Sequence, residues 1–263
     1  MTKSISKLTE AAEAEAIFQM HSLPRKNEME QFKGTVKKFG SITAARTDLI
    51  PDFFFSRVMG FTETPDRELI SEIINFFEGR DGLYALQIPP MLINADLKKI
   101  LAEYKFFLKN SWAKFYRETD ENVNAVCDLE IREINSNEKK TFTDLVCKVF
   151  DIPAELSPLI NSVIERSEWK HFMAYEKDLP IATGSIFIHG DTAWNCFAAT
   201  LPEYRGKGAQ GALITGRIKA ARKAGCKYIT SETNINNGSY RNLIRYGYRI
   251  LYERPNFIFD PSV

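Results

Sequence analysis

The sequence is poor in the side chains that most often announce chemistry. Its 263 residues include only three histidines, His21, His171 and His189, and they are scattered. Its four cysteines, Cys127, Cys147, Cys196 and Cys226, lie 20, 49 and 30 residues apart with no C-x-x-C pair. That spacing argues against zinc, and no metal is expected. Sparse, unpaired thiols fit a reducing compartment, so a cytoplasmic protein is expected. No apolar run approaches the length of a membrane-spanning helix, and no membrane partner is expected. The first 20 residues carry scattered charge without an apolar core, which argues against a secretory signal. Neither sign of charge prevails: 35 Lys and Arg face 34 Asp and Glu, a net charge of +1. Such a balance gives no global attraction to nucleic acid, and none is expected as a partner.

What is present is a core-forming composition, 44% hydrophobic with 19 phenylalanines, in a length that suits one large or two small domains. Residues 1–30 read as an acidic, alanine-rich helix. From Gly34 to about Thr119 the pattern is α/β: possible strands at Ser41–Arg46, Leu83–Ile88 and Ser111–Tyr116, and helical faces at Arg67–Phe77 and Ala95–Leu108. Phe53-Phe54-Phe55 reads as core. The polar stretch Glu118–Asp128 reads as a linker, dividing residues 1–125 from residues 126–263. In the second half come a strand at Leu129–Ile134 and helices at Thr141–Phe150 and Ser157–Ser167. Three antiparallel strands follow, Trp169–Tyr175, Ile181–His189 and Asp191–Thr200. A helix to about Ala224 ends at Gly225. Then come a strand at Cys226–Glu232, a short helix at Ser239–Tyr246, and an edge hairpin of Arg249–Tyr252 with Asn256–Phe259 around Arg254-Pro255.

The most informative stretch is Leu201–Leu213, LPEYRGKGAQGAL, between the third meander strand and the long helix. Glycine permits φ > 0 and close approach of a ligand to the amides. A helix start adds unpaired N–H groups and partial positive charge. From Leu201 to Gly225, Arg205, Lys207, Arg217, Lys219, Arg222 and Lys223 outweigh Glu203, a local +5 in a chain of +1. Together these features describe a phosphate or pyrophosphate site. Gly206-Lys207-Gly208-Ala209-Gln210-Gly211 also spells G-x-G-x-x-G, with Glu232 at 21 residues beyond Gly211. A dinucleotide fold is nevertheless a poor fit, because polar Pro202–Arg205 separates loop from strand and only 52 residues follow Gly211.

Arg205, Gly208 and Gln210 fall on the fixed positions of a R/Q-x-x-G-x-G/A pattern, and Asn236 precedes Gly247-Tyr248 downstream. These two segments, in this order, resemble the GNAT superfamily of N-acetyltransferases over roughly Leu129–Phe259. The resemblance implies an α/β (α+β) fold with a mixed, mostly antiparallel sheet flanked by helices, plus an additional N-terminal α/β half that would be a degenerate GNAT-like copy or a family-specific cap. It implies acetyl-CoA as cosubstrate, with acetyl transfer to a primary amine of a small-molecule or peptide acceptor. Pantetheine contacts would fall on Ala198, Ala199 and Thr200. The pyrophosphate would sit on the amides of Arg205, Gly206, Lys207, Gly208, Ala209 and Gln210, and Asn236 would touch the cofactor. Gln210, larger than the expected small residue, must turn its side chain away from the phosphate or bond to it. A neutral amine must lose a proton, and Glu232, closing the strand after the long helix, is the expected general base. The tyrosine that often protonates the leaving thiolate in this family is replaced by Leu243; Tyr240, three residues before it, is the expected acid, with Tyr246 three residues after it and unaided departure or a proton from water as alternatives. The alternative is a catalytically silent module that binds coenzyme A.

Overall fold

A computed structural model of the chain describes residues 2–123 and 129–259. Cys127 and the 124–128 part of the polar stretch lie outside the described residues. The chain forms two compact units, one of residues 1–114 with 251–263 and one of residues 115–250. The division falls inside two strands and not in the polar stretch, so residues 251–259 group with the N-terminal unit.

The first unit begins with helix α1 (Thr2–Ser22) and a short α2 (Lys26–Gln31). An antiparallel meander follows, β1 (Thr35–Phe39), β2 (Ile42–Arg46) and β3 (Arg57–Met59). Helix α3 (Arg67–Phe76) then crosses to β4 (Tyr84–Gln87), parallel to β3. Helix α4 (Ala95–Glu103) and β5 (Phe106–Glu118) come next, and the end of β11 (Arg249–Phe259) pairs antiparallel with β4. The strand order in this unit is β1-β2-β3-β4-β11-β5. Its apolar core gathers Ile70 and Ile73 of α3, Leu97 and Leu101 of α4, and Val58 and Leu86 of the sheet.

Three expectations change here. Helix α4 stops at Glu103 instead of Leu108, because Lys105 turns left-handed (φ 62) and Phe106 drops into the core as the first residue of β5. Strands β1 and β3 were not expected. The C-terminal hairpin is instead one unbroken strand, β11, set between β4 and β5. Arg254, where the turn was expected, is fully buried and bonds the carboxylates of Glu10 and Glu13 on α1 at 3.1 and 2.8 Å. A guanidinium held inside by two carboxylates cannot head an exposed turn. Of the three phenylalanines, Phe53 and Phe55 are buried and Phe54 is exposed.

The second unit repeats the plan. Strand β6 (Glu130–Glu133) is followed by helices α5 (Lys139–Phe150) and α6 (Ser157–Asn161). The meander is β7 (Trp169–Glu176), β8 (Leu179–His189) and β9 (Thr192–Thr200). Helix α7 (Ala209–Lys223) crosses to β10 (Tyr228–Asn234), parallel to β9, and α8 (Gly238–Arg245) leads into β11. The strand order is β5-β10-β9-β8-β7-β6. Each unit thus runs helix, three antiparallel strands, helix, parallel strand, helix, strand. Helix α6 ends at Asn161 and not at Ser167, since the residues after it close i→i+3 bonds that tighten the chain. Adjacent residues of β8 face opposite ways: Ser185 bonds His171, which packs against Phe142 of α5, while Gly184 lies against Arg217 of α7. Helices α5 and α7 therefore cover opposite faces of this sheet.

Candidate active site

The site is built where β9 and β10 part. Their parallel register covers three residues, Tyr228–Thr192, Ile229–Ala193 and Thr230–Trp194. Beyond it β9 runs on to Thr200 and β10 to Asn234 without pairing each other. A β-bulge lies on the part of β9 that has left β10 but still pairs with β8. The register with β8 jumps from Ser185–Cys196 to Thr183–Ala199, so Phe197 and Ala198 both oppose Gly184. Phe197 has φ 49, and its carbonyl accepts from the Thr183 hydroxyl at 2.8 Å. Leu201 donates to Ile181 of β8. Alternation along the strand then turns the amides of Ala198 and Thr200 away from β8, into the gap, and that of Ala199 towards β8. Ala199 is buried, whereas Ala198 and Thr200 are partly accessible.

The gap leads to the start of α7. Gly206 and Gly208 have φ 83 and 85, a region that side chains disfavour, and Gly208 is the N-cap with no side chain to close the helix. The first amides of α7 are thus left without a side-chain cap, at the positive end of a 15-residue helix. Arg205, Gly206, Lys207 and Gly208 are exposed and Ala209 is buried. The Lys207 ammonium lies 2.8 Å from Glu176 and over the Tyr204 ring. Both partners of this ion pair are well exposed, so it holds weakly and yields to a stronger anion. Gln210 turns away from the mouth. Its amide donates to the Ala199 carbonyl at 3.0 Å and the Thr200 hydroxyl at 2.9 Å, tying the first turn of α7 to the end of β9. The larger side chain here leaves the helix amides clear.

Across the gap, Glu232 lies on the part of β10 that has parted from β9, and is partly accessible. The N-cap of α8 is Asn237, which accepts from the Tyr240 amide at 2.7 Å and donates to Thr233. Asn236, exposed and left-handed (φ 63), accepts from Arg241 through its carbonyl. Tyr240 packs edge-on against Phe115, ring centroids 5.3 Å apart. Tyr246 is the tyrosine that reaches α7: a Cβ at Gly211 would collide with its hydroxyl. Leu243 is buried.

The charge distribution differs from the sequence expectation at Arg217. Instead of facing the mouth with Arg205 and Lys207, it lies 2% exposed on the sheet side of α7. The sequence carried that signal, because Arg217 falls four residues from both Leu213 and Ala221, on the apolar face. Cys196, the register partner of Ser185, has a thiol pushed far up by burial, which leaves it a poor nucleophile. His171 is held neutral, down to about 4, by burial. Among the described residues no cluster of His, Cys, Asp and Glu is placed to hold a metal ion. No helix among them is long and apolar enough to cross a membrane.

Residues 132–248 match the family model described as the acetyltransferase (GNAT) family. No curated protein matches the sequence. Among solved structures, a GCN5-related N-acetyltransferase from Kribbella flavida is 15% identical and superposes with a TM-score of 0.64, covering 96% of this chain and 95% of that one. A tandem GNAT protein from the clavulanic acid biosynthesis pathway is 10% identical, with a TM-score of 0.61 over 96% and 95%. A functionally unknown conserved protein from Staphylococcus epidermidis is 13% identical, with a TM-score of 0.60 over 87% and 95%. At these identities the likeness is one of fold.

Proposed function

Residues 132–248 form a GNAT-family domain, and from that premise we propose that the protein moves an acetyl group from acetyl-CoA to a primary amine by direct attack in a ternary complex. The observation that carries this reading is the continuity of two features: the edge of β9 at Ala198–Thr200 that has parted from β10, and uncapped helix amides at Gly208–Gln210. The first would pair with the pantetheine arm. The second would hold the pyrophosphate, with Arg205, Gly206 and Lys207 around it and Asn236 at the far rim. Glu232 would accept the amine proton, directly or through a water. Tyr240 would protonate the leaving thiolate. The acceptor is a small-molecule or peptide amine.

The first unit we read as a second, GNAT-like copy of the fold. The repeated element order and the tandem GNAT neighbour support that reading. Free Cys147, Cys196 and Cys226 suit a reducing, cytoplasmic setting.

The test pairs binding with turnover. Coenzyme A titrated calorimetrically into the protein should bind, and Gly208→Trp, which fills the mouth, should abolish binding without unfolding the chain. Unchanged affinity in that variant would remove the site. Free-thiol release from acetyl-CoA with a panel of amines should be observed, and Glu232→Gln should lower it while sparing cofactor affinity. Apolar Leu243 in α8 favours the second reading, a module that binds coenzyme A without turnover. Binding without thiol release across the panel would establish it.

A further inference from the structure

Arg217 is a buried cation without a counter-ion. Its Nε donates to the Leu213 carbonyl at 3.2 Å, and Nη1 has no hydrogen-bond partner. Among the described residues no carboxylate lies within ion-pair distance of it. Charges buried this deeply are ordinarily paired, because desolvation costs several kcal/mol. Nothing in the packing of α7 demands a cation at this position, where Leu213, Ile218 and Ala221 supply the apolar face.

Its placement is informative. A Cβ on Gly184 would lie 3.0 Å from the Arg217 guanidinium, and Gly184 is the residue opposite the Phe197–Ala198 bulge. The charge therefore lies beneath the point where β9 turns from its ladder into the gap. Neighbouring strands are about 4.8 Å apart and the gap lies on the far side of β9 from Gly184, so the gap beside the bulge is roughly 8 Å from the guanidinium. Burial lowers the Arg217 pKa from its ordinary value, and no ionised group nearby among the described residues cancels the charge. Asn195 of β9 lies on the same face of the sheet as Arg217 and bonds Tyr248, just before β11, while the Cys196 thiol lies on the other face within electrostatic reach. Burial holds the thiol neutral and pushes Tyr248 to about 12. Arg117 of β5 acts on Tyr248 as a further cation and is itself tied to Glu121 at 2.8 Å.

We propose that Arg217 is a positioning residue for the transfer step, holding a positive potential under the bulge that stabilises the thiolate as it leaves. This rests on the acetyl-CoA reading above. The amine nitrogen forms a bond to the acetyl carbon, and the carbon–sulfur bond breaks with its electron pair passing to sulfur. The amine proton passes to the general base, and coenzyme A departs as the thiolate, which the charge stabilises until it takes a proton from Tyr240 of α8. A unit charge about 8 Å away, at an effective dielectric near 20, favours the anion roughly 30-fold, or about 1.5 pH units. A charge fixed in place before the reaction begins costs no reorganisation in the transition state.

The thiol of bound coenzyme A reads this potential directly. Its ionisation can be followed by the ultraviolet absorbance of the thiolate, with the spectrum of the free protein at each pH subtracted. In the full chain the bound thiol should titrate about 1.5 units below free coenzyme A. Arg217→Lys should keep most of that shift. Arg217→Met should abolish it and lower kcat about 30-fold, while the Kd for coenzyme A below the thiol's titration range stays within about twofold. Arg217→Met should also raise Tm, since an apolar side chain replaces an unpaired buried charge. A bound thiol that titrates as free coenzyme A does in the unaltered protein overturns the proposal. An equal shift in Arg217→Met does so as well. Failure of coenzyme A to bind at all overturns the acetyl-CoA reading instead, and with it this one.

Discussion

Helix α3 and helix α7 hold the same place in the element order of their units, each crossing from the third meander strand to a parallel partner. Their N-termini are finished in opposite ways. In the first unit Asp66 caps α3, its carboxylate accepting the Leu69 amide at 2.9 Å, with Glu68 in the first turn. The amide of Gly60, just past β3, points at the Glu10 carboxylate at 3.3 Å. Carboxylates of the chain itself thus sit at both places where an anionic, amide-seeking ligand would bind. In the second unit the cap of α7 is glycine, and β9 runs free of its parallel partner. One architecture can therefore close or open an anion site by the choice of a few side chains, because the amides are present in every helix and only their capping varies.

The strongest way to break the comparison is to disturb the closed unit. Glu13 is fully buried between Lys114 at 2.5 Å and Arg254 at 2.8 Å, with Arg57 at 3.7 Å. Burial alone would raise its pKa, but Arg254, Lys114 and Arg57 outweigh that and hold it well below the usual carboxylate value. Glu13→Gln leaves these cations buried with too little negative charge. It should cost about 3–5 kcal/mol in denaturant unfolding. A loss under 1 kcal/mol would mean that the cluster contributes little to the closed state.

Acid should act on both units alike. His21 in the first and His171 in the second are each held down to about 4, chiefly by burial, against an ordinary 6.5. Between those values the unfolded chain binds the extra proton, so stability falls as pH drops from about 6.5 to 4 and levels off below. Each histidine contributes at most about 3 kcal/mol to that loss. His171→Gln should remove the second unit's share, keeping a partner for Ser185. An unchanged pH slope in that variant would assign the acid sensitivity elsewhere.

How far the sequence discloses this molecule depends on how local each feature is. Arg205, Gly206, Gly208 and Gln210 are neighbours, and a glycine-rich helix start acts the same way wherever it occurs. Their motif was therefore legible without the fold, as were the meander and α7. The burial of Glu10 and Glu13 was not legible. An acidic, alanine-rich helix reads as solvent-facing, and the residues that compensate Glu13 lie 101 and 241 positions away. The same non-local pairing turned an expected hairpin at Arg254-Pro255 into a continuous strand. Arg217 falls between these cases. Counting charge along the chain groups it with the loop cations, while the helical period assigns it to the buried face. Periodicity decides, because α7 packs against the sheet along its whole length and the apolar face has no other direction to turn.

The smallest expected effect gives the sharpest comparison. Asp66→Ala removes the side-chain cap from α3 and should cost about 1 kcal/mol of stability, the ordinary worth of an N-cap. If an open helix mouth were sufficient for coenzyme A, the variant would gain a second site, and calorimetry would report two cofactors per chain. One per chain is expected. The loop before α3, Phe61–Pro65, has no glycine to bring amides close to a diphosphate and no cation among its residues. Glu10 would still occupy the Gly60 amide. An uncapped helix end supplies a partial charge worth about 0.3–1 kcal/mol to an anion, far below micromolar binding, which needs about 8 kcal/mol. A second site in Asp66→Ala would mean that capping alone separates the two units; its absence would assign the difference to the glycine loop and the parting of β9 from β10 acting together.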